Sequence, residues 1–94
     1  MRLVWTRLAV EDREQIFDYI ALDSPSAALA VDGALSKQLN LLKEFPEMGR
    51  SGRVEGTREL VVQGTPFIVA YQVRNDSVRI LRILHGARLW PDSL

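Results

Sequence analysis

Three arginines, Arg50, Arg53 and Arg58, fall within the glycine-punctuated stretch "MGRSGRVEGTREL", Met48 to Leu60. Guanidinium is a planar fork of donors that binds carboxylate or phosphate bidentately. The connector can therefore hold a loop against acids of its own chain, or present charge to a partner. His85 is the only histidine and closes an apolar run. Its near-neutral reference pKa suits acid–base chemistry, or equally a hydrogen-bonded structural place. Arg88 and Trp90 follow it, and the Trp90 ring can cover a sheet or stack on a base or a partner. The chain has no metal-ligand constellation, no Gly-rich phosphate loop and no nucleophile–base pair, so no metal or cofactor is expected.

Composition narrows the field. Ninety-four residues, 47% hydrophobic and 26% charged, suit a single small folded domain over 1–94. Twelve basic and twelve acidic residues cancel, whereas a protein that grips a phosphate backbone unaided carries an excess of Lys and Arg. Any nucleic-acid role must rest on a local patch. No apolar run approaches the ~20 residues of a membrane span, so no membrane association is expected. The opening "MRLVWTRLAVEDREQ" turns acidic where a signal peptide needs an apolar stretch, and the lack of cysteine fits the cytosol.

The elements that must position these residues follow from periodicity. "RLVWT" reads as a short strand with Leu3 and Trp5 on one face, and Thr6 can cap a helix in which Ala9, Ile16, Phe17 and Ile20 recur. Ser24 and Pro25 form a second helix start, and Ala28, Leu35, Leu39 and Leu42 predict a helix from Ser26 to Glu44 that "FPEMG" stops. Then the period changes. "TRELVVQ", "PFIVAYQV" and "SVRILRILH" are β-branched runs joined by "GT" and "RND", which predicts an antiparallel meander with the last strand central. The expected fold class is α+β: an N-terminal strand and a two-helix hairpin packed on an antiparallel β-sheet. Tyr71 is expected in the core with its hydroxyl at the surface. Strand alternation places Arg79 and Arg82 on opposite faces, the inward one needing an acid from Glu11, Asp12 or Asp18.

The order "A..DREQIFDYIA", "L..FPEMGR.G", "GTREL", "PFIVAYQV", "ILRILHGARLWP" resembles the RelE/ParE superfamily, toxins of bacterial type II toxin–antitoxin modules, from about Trp5 to Pro91. The resemblance implies a cytoplasmic toxin that inhibits growth and is neutralised by a cognate antitoxin, touching operator DNA only through that antitoxin. RelE-like members cleave messenger RNA on the ribosome without a metal; ParE-like members act on DNA gyrase. If this chain is RelE-like, the resemblance makes Arg58, His85 and Arg88 the catalytic set. Otherwise Arg50, Arg53, Arg58 and Trp90 are candidates for contact with target or antitoxin. Both lysines, Lys37 and Lys43, fall on the second predicted helix rather than in a RelE-like lysine array, and "ILHGAR" is similar to the ParE-type ending. The ParE-like reading is favoured, the RelE-like nuclease is the alternative, and an inactive antitoxin-binding co-repressor is the third. Apolar residues off the main helical stripe, Leu22, Ala30 and Leu41, are expected to be exposed for the antitoxin.

Overall fold

Thr6 ends the first strand and starts the first helix. Its hydroxyl accepts from the Ala9 amide (3.1 Å) and donates to the Leu81 carbonyl (2.8 Å), tying the helix start to the last strand. The computed structural model describes residues 1–94. The elements are β1 (Arg2–Trp5), α1 (Arg7–Asp23), α2 (Pro25–Leu41), β2 (Arg50–Ser51), β3 (Arg58–Val61), β4 (Phe67–Arg74) and β5 (Ser77–His85). Ser24 caps α2 by accepting from Ala27, with Pro25 at its first position, where a missing N–H costs nothing.

The second helix stops before Glu44. Leu42, Lys43 and Glu44 donate to carbonyls three residues back, tightening the chain into a turn before Pro46, so Lys43 lies beyond α2. No helix is long and apolar enough to cross a membrane.

The sheet order is β1-β5-β4-β3-β2, with β1 parallel to β5 and the other pairs antiparallel. The middle strand is therefore β4, and β5 lies beside it. The two-residue β2, unforeseen in the sequence, pairs Arg50 with Glu59 and Ser51 with Arg58. One face packs on the helices: Leu35, Leu39 and Leu42 meet Leu60, Val69, Tyr71, Val78, Ile80 and Ile83. The other face has no helix over it and is called the open face below.

A bulge in β5 overturns the expected placement of Arg79 and Arg82. Tyr71 pairs with Ile80 and Ala70 with Arg82, leaving Leu81 without a partner. Arg79 opposes Gln72 and Arg82 opposes Ala70, so both arginines leave on the open face. Arg82 still finds one of its expected acids. Its Nε and Nη2 donate to Asp12 at 2.8 and 3.0 Å, and the Ile83 amide donates to the same carboxylate at 3.0 Å. The Asp12 carboxylate thus fills the edge of β5 that β1 no longer covers.

Both side chains of that pair are largely buried. Asp12→Ala should destabilise the fold by about 3 kcal/mol, because it strands a guanidinium and an edge amide. Arg7→Ala breaks an exposed helix pair and should cost at most about 0.5 kcal/mol. Urea unfolding of the two variants compares these directly.

Candidate functional site

Glu59 faces the open side of β3, opposite Ala70, and only 3% of it is exposed. Two of the connector's arginines converge on it. Arg50 Nη2 donates to its Oε1 at 3.1 Å, while the Arg53 amide reaches its Oε2 at 2.7 Å and the Arg53 side chain lies 3.3 Å away. Burial pushes the Glu59 carboxyl up. The Arg53 amide, the Arg50 hydrogen bond and both positive charges outweigh it, and its pKa falls below the ordinary value. The guanidinium of Arg53 also stacks on Trp90, 3.7 Å from the ring centroid, and Trp90 Nε1 donates to the His85 carbonyl at 3.3 Å. The carboxylate therefore orders the connector and, through Arg53, the C-terminal segment.

Arg58 points the other way. It registers with Tyr71 on the helix face, and its Nη1 donates to the carbonyl of Gly49 at 2.8 Å. Glu59, its neighbour on β3, is not its partner. Adjacent strand residues face opposite sides of a sheet, so the two cannot meet. Tyr71 completes the anchor. Its hydroxyl does not reach the surface as expected; it donates to Pro46 (2.8 Å) and accepts from the Gly49 amide (2.9 Å), with the residue fully buried. Burial is the main reason its pKa is raised. A Cβ on residue 49 would lie 2.5 Å from that hydroxyl, which explains the glycine.

His85 registers with Phe67 on the helix face and meets its ring edge-on at 5.8 Å. Its Nδ1 accepts from the Ala87 amide at 3.1 Å, which leaves Nε2 as the protonated nitrogen in the neutral ring. His85 and the exposed Arg88 line one hollow with Asp12, Gln15 and Tyr19. Arg58 is nowhere near it. Arg58 aligns with Tyr71 and His85 with Phe67, so they stand roughly 13 Å apart along the strands and about 10 Å across them. Strand pairing sets them at opposite ends of the sheet, because β3 and β5 both run antiparallel to β4. One phosphate cannot touch both groups.

The expected apolar surface is present in part. Leu41, Phe45, Met48 and Val61 are exposed, and Leu41 and Met48 join two adjoining hollows, one with Glu44 and Glu47 in its wall and the other with Lys37 and Arg50. Leu22 and Ala30 are exposed on the helices outside that strip.

Residues 3–90 match the family described as the ParE toxin of the type II toxin–antitoxin system, parDE. The chain belongs to this ParE toxin family. Among relatives, it is 38% identical over 93 residues to a Sinorhizobium fredii protein named as toxin Y4kP, covering 99% of this chain and 96% of that one. It is 41% identical over 88 residues to toxin RelE2 of Caulobacter vibrioides, covering 94% and 98%. A solved chromosomal ParDE system from P. aeruginosa superposes with a TM-score of 0.78 at 34% identity, over 88% of this chain and 92% of that one. HP0894 from Helicobacter pylori shares the fold alone, with a TM-score of 0.50 at 23% identity over 88% and 91% of the chains. A ParE-family toxin has a cognate antitoxin as partner.

The Glu59 cluster contributes to the pH response. A folded-state pKa below the ordinary 4.5 stabilises the protein above that pH, and this contribution is lost as pH falls through the folded value. Glu59→Gln should cost about 2 kcal/mol at neutral pH and converge on the wild type in acid. Urea midpoints across that range would show parallel curves if the cluster contributed nothing.

Proposed function

We propose that this ParE-family toxin arrests growth by acting on DNA gyrase and is relieved by its antitoxin, without cleaving RNA. The supporting observation is the separation of Arg58 from His85 and Arg88. Metal-free RNA cleavage needs a base for the 2′-hydroxyl, an acid for the leaving oxygen and cations on the phosphorane, all within reach of one phosphate. Here Arg58 is bonded to the Gly49 carbonyl. His85 and Arg88 line a separate hollow, together with the paired Asp12 and Arg82. The antitoxin, in this reading, lays apolar side chains along Leu41, Phe45, Met48 and Val61 and sets carboxylates against Lys37 and Arg50. Arg53, Arg58 and Trp90 then serve the toxin by shaping the connector and tail beside that strip.

Supercoiling of relaxed plasmid by gyrase, measured with the purified toxin, should fall and recover when antitoxin is added. Cells expressing the toxin alone should show DNA-damage induction and intact translated messages. Codon-positioned cuts in those messages, lost in Arg58→Ala, would instead establish the ribosome-dependent nuclease. Harmless expression of a folded chain would leave the antitoxin-binding co-repressor.

A further inference from the structure

The arginines of the open face divide into two sets. Arg50, Arg53 and Arg82 are matched to Glu59 and Asp12. Arg2, Arg74 and Arg79 are exposed and have no ion-pair partner. Register gathers them: Arg2 and Arg74 flank Ser77 from the strands on either side, and Arg79 lies between Val4 and Gln72. Their alternation with the core residue Val78 sends all three onto the open face. Arg7 joins them around a shallow hollow of about 400 Å³ that no carboxylate lines. Its own partner, Glu11, is an exposed helix neighbour that holds it weakly. Across the molecule, α1 carries five carboxylates against two arginines. The chain is neutral in sum and polarised through its thickness.

We propose that this corner, Arg2, Arg7, Arg74 and Arg79, binds the phosphodiester backbone of duplex DNA. Three of these guanidinium groups stand on three adjacent strands spanning about 10 Å, the fourth starts α1, and a duplex offers one charge per ~1.7 Å of axis. Single-strand binding relies on aromatic platforms for the bases. The one ring in this wall, Trp5, has Arg13 over it on the helix side. An amphipathic peptide needs apolar anchors, and Val4 is the single exposed one here. The choice of DNA over duplex RNA rests on the gyrase reading, since a toxin seated on gyrase meets the duplex the enzyme holds.

Fluorescence anisotropy of a short labelled DNA duplex, titrated with the toxin from about 50 to 200 mM salt, tests the proposal. Contact with three to four phosphates should give a slope of log K on log salt near −3. Arg74→Ala with Arg79→Ala should bring the slope up by about 2, whereas the paired replacement by lysine, which keeps both charges, should hold it. Lys43→Ala, at an exposed cation outside the corner, should leave it unchanged. Absence of binding at low salt, an unaltered slope in the double alanine variant, or tighter binding of an RNA duplex would overturn the assignment. Gyrase inhibition without DNA binding removes this site and leaves the gyrase reading; salt-dependent DNA binding without gyrase inhibition does the reverse.

Discussion

Leu81 has no partner on β4, and that one unpaired residue sets the direction of every side chain after it on β5. Without it, Arg82 would face the helices and Ile83 would face away from the core. With it, Val78, Ile80 and Ile83 form one apolar row under the helices, and Arg82 reaches around the strand edge to Asp12. The same carboxylate takes the Ile83 amide, which would otherwise be an open edge donor. Packing, edge protection and the charge pattern of the open face thus depend on the phase shift at a single position.

The connector obeys a second constraint. Irregular backbone buried against a sheet must have its amides and carbonyls matched. Tyr71 matches Pro46 and Gly49, Arg58 matches Gly49, and Glu59 matches the Arg53 amide. The arginine concentration of the loop is therefore first an answer to its own backbone and to one buried carboxylate. Arg50 and Arg53 remain about half exposed, so the cluster keeps a net positive charge for a partner while its geometry is set from within.

Local signals were legible in the sequence and phase over distance was not. The Thr6 and Ser24 caps, the Ala28-Leu35-Leu39-Leu42 stripe and the β-branched runs rest on spacings of a few residues, and the structure has all of them. The bulge leaves no such mark, because "RILRIL" alternates acceptably in either phase. Hence the face of Arg82 could not be read, and the cationic corner, shared by strands at both ends of the chain, needed the pairing of β1 with β5. Arg58 was visible as a strand-opening cation, but its direction depends on pairing with Tyr71. The inward-turned hydroxyl of Tyr71 likewise needed the loop after α2 to be in place. Glu59 did carry a readable signal: a lone acid in an apolar strand, within reach of nearby arginines.

The division of the basic groups between two ends of the sheet is tested most directly by growth arrest on expression without antitoxin, comparing the wild type with His85→Gln. Glutamine keeps a polar side chain of similar length and removes imidazole acid–base chemistry. Arrest of equal strength is expected, since the ring lies on the helix face beyond the reach of Arg58. Loss of arrest in a variant that still folds and binds antitoxin would contradict the separation and place catalysis in the hollow of His85 and Arg88.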